Sequence, residues 1–151
     1  MTHLSRGSNS LLQHCYLQEL PCFSDERGKL SFIESSNHLP FSLQRIYYLF
    51  GDLEEQVRGL HAHKKLQQMI IAISGSFVVT LDDSVGTKDY RLDSPSTGLY
   101  VCPMIWRKVH SFSDKAVCLV LASRLYERDD YIFDYGEYCK MRQDPGALMD
   151  H

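Results

Sequence analysis

The sequence predicts an all-β, double-sheet jelly roll closed by a short C-terminal helix. Short runs rich in β-branched and aromatic residues recur every eight to twelve residues, separated by Gly, Pro, Ser, Asn and Asp clusters. Two of these runs, 42–50 and 57–63, alternate in character residue by residue, as half-buried strands do. Only the last 25 or so residues break this rhythm.

Taken in order, residues 1–13 are polar and Ser-rich and read as a flexible arm. His14 to Leu20 reads as a strand ended by Pro21, and Ser24-Asp-Glu-Arg-Gly28 as a turn into a second strand, Lys29 to Glu34. Residues 36–40 read as a loop. Ser42 to Phe50 follows, with Arg45 and Tyr47 on one face and Gln44, Ile46 and Tyr48 on the other.

Val57 to His63 and Gln68 to Ile73 form the next pair, closed at Ser74-Gly75. Phe77 to Leu81 and Asp89 to Leu92 flank a hairpin loop at Asp82 to Gly86. Leu99 to Pro103, Trp106 to Phe112 and the nearly all-apolar Ala116 to Ala122 complete the strands. Asp129 or Asp130 is placed to cap a short helix through Glu137 and Met141, ended by Asp144-Pro-Gly146. The expected organisation is one domain over 14–143, with flexible segments at 1–13 and 144–151.

A chain of 151 residues can bury roughly two-thirds of its unfolded surface. Its formal charge of −3 offers no basic field for nucleic acid. Five cysteines in no C-x-x-C spacing read as reduced thiols. The N-terminus has no apolar signal region and no run is long enough to span a membrane, so the cytoplasm is expected.

The chemistry concentrates in Arg58-Gly-Leu-His-Ala-His-Lys-Lys. On a strand, His61 and His63 share one face and Ala62 takes the other. His63 is followed by four residues, Gln68, six more and Gly75. That spacing resembles the first motif of the cupin superfamily, with Gln68 standing where metal-binding cupins carry Glu. The second cupin motif usually has a histidine shortly after proline; here Pro103-Met-Ile-Trp-Arg-Lys has none before His110. Two usual ligands are therefore missing, and neither a metal nor another cofactor is expected.

Further runs narrow the resemblance. Pro40-Phe-Ser-Leu-Gln-Arg-Ile-Tyr-Tyr-Leu, Leu92-Asp-Ser-Pro-Ser-Thr-Gly-Leu-Tyr, Pro103-Met-Ile-Trp-Arg and Asp129-Asp-Tyr-Ile-Phe-Asp-Tyr are similar to the sugar 3,4-ketoisomerases acting on dTDP-4-keto-6-deoxyglucose. The likeness runs in order over roughly residues 15 to 140. It implies a homodimer, a dTDP-linked keto sugar, and a place in deoxyaminosugar biosynthesis for cell-surface glycans such as O-antigen. Exposed sheet edges would be covered by pairing, with the strand at roughly His14 to Leu20 as the candidate for the exchanged edge.

Moving a ketone from C4 to C3 needs a base for the C3 proton and a stabilised enediol. Neutral imidazole suits the task, and the residues assigned to catalysis are His61, His63 and Tyr47. Strand alternation does not rank the two histidines. Arg45 and Arg58 are assigned to the diphosphate or the developing oxyanion, and Gln68 to a sugar hydroxyl or a histidine. The plainer alternatives are surface ion pairs for the arginines and a core role for Tyr47. Trp106, Tyr131 and Tyr135 read as packing residues. A 3,5-epimerase and a catalytically silent sugar-binding cupin remain the competing functions.

Overall fold

The computed structural model describes residues 10 to 144. A 3-10 turn at Leu12–His14 leads into β1 (Tyr16–Glu19), followed by β2 (Cys22–Asp25), β3 (Gly28–Ser31) and α1 (Ser35–His38). Then come β4 (Arg45–Leu49), β5 (Arg58–His63), β6 (Gln68–Ser74), β7 (Phe77–Asp82) and β8 (Thr87–Leu92). β9 (Thr97–Val101), β10 (Trp106–His110), β11 (Val117–Ala122), β12 (Tyr131–Ile132) and α2 (Tyr135–Gln143) complete the chain.

The strands form two five-stranded sheets, ordered β1-β9-β6-β11-β4 and β12-β5-β10-β7-β8, with β2 and β3 as a separate hairpin. All the pairings are antiparallel. This is the cupin-type jelly roll, with its short C-terminal helix. Ile70, Leu99 and Val120 of the first sheet and Phe77, Val79, Leu81 and Val109 of the second belong to one apolar core. Burial of such side chains contributes about 1.5–3 kcal/mol each.

A smaller cluster lies outside the second sheet. Ala62, Met104, Ile132 and Tyr138 pack together there, so α2 lies against the outward face of β5. The Tyr138 hydroxyl donates to Met104 O at 2.8 Å, which ties the helix to the barrel. The smallness of Ala62, between the two histidines, is what lets this cluster close over it.

Several elements differ from the sequence reading. Residues 10–13 fall in the expected flexible arm, yet Ser10 Oγ and the Leu11 and Leu12 amides all donate to the buried Asp83 carboxylate. Residues 1–9 and 145–151, which hold most of the expected arm and tail, lie outside the described residues. β2 was not expected, and residues 36–40 include part of a one-turn helix. α2 is capped by Asp134, whose Oδ1 accepts from Glu137 N at 2.7 Å, rather than by Asp129 or Asp130. The reason is that Tyr131–Ile132 first pairs with β5, delaying the helix by one short strand. No helix among the described residues is long and apolar enough to cross a membrane.

Candidate active site

A cavity of about 350 Å³ opens between the two sheets. The first sheet supplies one wall. In β4 alternate residues are half-buried and exposed, so Arg45 and Tyr47 turn inward while Ile46 and Tyr48 face out. Cross-strand register carries that face through β11 to β6: Arg45 pairs with Ala122, and Ala122 with Gln68. The expected sharing of one face by Arg45 and Tyr47 is what the structure has.

The second sheet supplies the other wall through β5 and β10. His61 is in register with Arg107, so both side chains enter from the same face. Between His61 and Arg58 the register slips, because Arg58 rather than Gly59 opposes Val109. Gly59 takes a φ of 73°, open to glycine at little cost, and the bulge turns Arg58 to the cavity despite its odd spacing from His61.

The two histidines are not equivalent. His61 lines the cavity, whereas His63 lies behind it, fully buried. Their Nε2 atoms are 3.0 Å apart with the rings nearly perpendicular, at 88°. The far nitrogen of His63, Nδ1, is 3.1 Å from Asp130 Oδ2. Asp130 also accepts from the Lys65 amide at 2.7 Å and the Leu66 amide at 3.3 Å.

Burial pulls His61 down to about 2, helped by the positive charge of Arg107 and by His63. His63 is pulled down to about 4, again mainly by burial, with Asp130 opposing the shift. Burial alone would raise the Asp130 carboxyl, but hydrogen bonds from His63, Lys65 and Leu66 outweigh it and hold it below its ordinary value. At neutral pH the site therefore carries two neutral imidazoles and one carboxylate.

Across the cavity, Gln68 links two groups. Its Nε2 donates to the Tyr47 hydroxyl at 2.8 Å, and its Oε1 accepts from Arg107 Nη1. Arg107 Nη2 donates to Ile105 O at 3.0 Å, and the buried Nε of Arg107 has no hydrogen-bond partner among the described residues. Since Tyr47 accepts from Gln68, its own proton is free for a ligand. Burial raises the Tyr47 pKa, so the hydroxyl stays protonated.

Arg45 lies over the Tyr47 ring at 5.3 Å and the Tyr126 ring at 5.7 Å, and its buried Nε has no hydrogen-bond partner among the described residues. Neither Arg45 nor Arg58 has an ion-pair partner among the described residues. Tyr131, expected only to pack, lines the cavity, with ring centroids 4.9 Å from His61 and 4.3 Å from His63. β12 puts it there by pairing Tyr131 with His63. Phe133 stacks on Tyr131 at 5.2 Å.

Arg107 and Asp130 were missed. For Arg107 a signal existed: alternation places it on the face of Val109 in a strand of the barrel. Asp130 lies in the Asp129-Asp-Tyr-Ile-Phe-Asp-Tyr run that carries the resemblance, but nothing local ties it to His63, 67 residues away, and an Asp-Asp pair reads as a helix cap.

Fold and site together define a cupin whose cavity sets one imidazole, His61, near a buried guanidinium and an amide. The family model described as "FdtA: WxcM-like, C-terminal" matches residues 13–143. A TDP-4-oxo-6-deoxy-alpha-D-glucose-3,4-oxoisomerase of Aneurinibacillus thermoaerophilus is 46% identical over 116 residues, covering 77% of this chain and 84% of that one. A solved 3,4-ketoisomerase from Helicobacter canadensis superposes with a TM-score of 0.83 at 36% identity, covering 86% of this chain and 98% of that one. The sugar 3,4-ketoisomerase QdtA of Thermoanaerobacterium thermosaccharolyticum, solved with TDP, gives a TM-score of 0.86 at 35% identity, covering 89% and 98%. The chain belongs to the FdtA-type family of sugar 3,4-ketoisomerases.

Proposed function

We propose that this protein moves the carbonyl of a dTDP-linked 4-keto-6-deoxyhexose from C4 to C3. The observation that carries the reading is His61: a neutral imidazole on the wall of a cavity that also presents Arg45, Arg58 and Arg107.

The C4 carbonyl acidifies the C3–H bond. His61 takes that proton, and the bonding pair moves into C3–C4 while O4 gains a proton from Tyr47. This gives the enediol. His61 then returns its proton to C4, and O3 surrenders its proton as the C3 carbonyl forms, restoring Tyr47. Atoms and charge balance without an external reductant. Arg107 suits the developing negative charge at O4, because its guanidinium is buried and held in place by Gln68 and Ile105 O, so water screens it little. Arg45 and Arg58, free of carboxylate partners, suit the diphosphate.

Metal independence belongs to the same proposal. The two Nε2 atoms face each other, the Gln68 amide is engaged by Tyr47 and Arg107, and Arg107 repels a cation. So does the homodimer. Every residue of the β2–β3 hairpin is exposed, with Phe23 at 62% and Leu30 at 60%, and a second copy would cover that apolar surface. β1, the edge expected to be exchanged, pairs with β9 of its own chain.

Incubation with dTDP-4-keto-6-deoxyglucose, followed by carbon NMR, tests the activity. A new carbonyl at C3 supports it. Exchange at C3 and C5 with the ketone left at C4 would indicate an epimerase, and binding without change would indicate a silent cupin.

A further inference from the structure

We infer that Asp130 is a positioning residue that fixes the tautomers of both histidines, leaving Nδ1 of His61 as the proton-accepting atom. The inference rests on the proposed ketoisomerase reaction and deepens it.

The chain of elimination starts at Asp130. Two backbone amides, Lys65 and Leu66, donate to its carboxylate, which keeps it ionised. An ionised carboxylate only accepts, so the 3.1 Å contact makes His63 Nδ1 the donor. A neutral imidazole carries one proton, so His63 Nε2 is bare. The 3.0 Å contact between the two Nε2 atoms then needs a donor from the other side, and His61 Nε2 must carry a hydrogen. His61, also neutral, is left with its lone pair on Nδ1, which has no hydrogen-bond partner among the described residues.

The same chain serves the charged state. When His61 takes the C3 proton it becomes an imidazolium, and its Nε2–H points at a bare nitrogen backed by a carboxylate. Positive charge on His61 is thereby stabilised against the opposing field of Arg107. Asp130 does not line the cavity and would act entirely through His63.

Two measurements test this. The first needs no variant and no substrate: nitrogen NMR of the uniformly labelled wild-type protein at neutral pH. It should show His63 protonated on Nδ1 and His61 on Nε2. Either histidine in the opposite tautomer would overturn the inference, whatever the reaction proves to be. The second is Asp130→Asn, which keeps the shape and removes the charge. Turnover should fall by about 10² or more while KM changes little, because no substrate contact is lost. Asp130→Glu, which restores a carboxylate, should recover part of the loss. Turnover of Asp130→Asn within about threefold of a wild type that isomerises would overturn the inference and leave the reaction itself standing. Should Asp130→Asn fail to fold, the wild-type tautomers still decide.

Discussion

His61 and His63 meet nitrogen to nitrogen, their Nε2 atoms 3.0 Å apart, and only His61 reaches the cavity. In the proposed reaction the pair thus divides into a histidine placed to touch substrate and one behind it. Replacing His63 with Asn should therefore lower turnover by about 10² to 10⁴ while TDP affinity stays near wild type. Titration of TDP and steady-state kinetics on one preparation check both halves. Equal losses in both would reassign His63 to the fold.

The Tyr47–Gln68 hydrogen bond joins the proposed proton donor to the amide that Arg107 holds. Tyr47→Phe should cut turnover by about 10² and leave Gln68 Nε2 short of a partner. An unpaired buried amide costs about 1–3 kcal/mol, so the midpoint of urea unfolding should move down as well. Unchanged turnover would remove Tyr47 from the proton path.

Low pH should destabilise the fold through the buried histidines. Both have folded pKa values below the ordinary 6.5, at about 2 for His61 and about 4 for His63, with burial the main cause. In the unfolded chain they protonate near 6.5, so between that value and the folded ones the unfolded state binds more protons. Stability is complete above about 6.5 and is lost as pH falls toward 4. Asp130, held below its ordinary value, adds a loss of the same sign at still lower pH. Tm measured from pH 8 downward should fall across this window, and His63→Asn should fall less steeply. Parallel curves would contradict the assignment.

Much of this was legible in the sequence because strand periodicity is a local property. Alternation put Arg45 with Tyr47 and His61 with His63 on their faces, and the apolar runs located the sheets. What was not legible depends on pairing between distant segments. Arg58 shares the cavity only because a bulge at Gly59 shifts the register. Asp130 and Tyr131 reach the histidines only because a two-residue strand adds to the edge of β5. A pattern of two residues carries no periodicity, and the acidic pair before it looks like a helix cap.

Chelation should leave turnover unchanged. No set of three or more His, Cys, Asp or Glu side chains able to hold a metal occurs among the described residues. Dialysis against a chelator followed by assay is the check. Activity lost there and restored by one divalent ion would contradict the proposal.

The hairpin predicts self-association. Sedimentation at micromolar concentration should give a dimer, and Phe23→Asp combined with Leu30→Asp should shift it toward monomer, since a buried unpaired charge is strongly disfavoured. A monomeric wild type would set the dimer aside.

In the proposed reaction His61 carries the proton between C3 and C4. That role is tested most directly by giving His61→Asn and the wild type dTDP-4-keto-6-deoxyglucose and following the carbonyl carbons by NMR. The wild type should form a C3 ketone. The variant should give none over the time the wild type needs to reach equilibrium, although it still binds TDP. Formation of the C3 ketone by His61→Asn at a rate within about tenfold of wild type would contradict it.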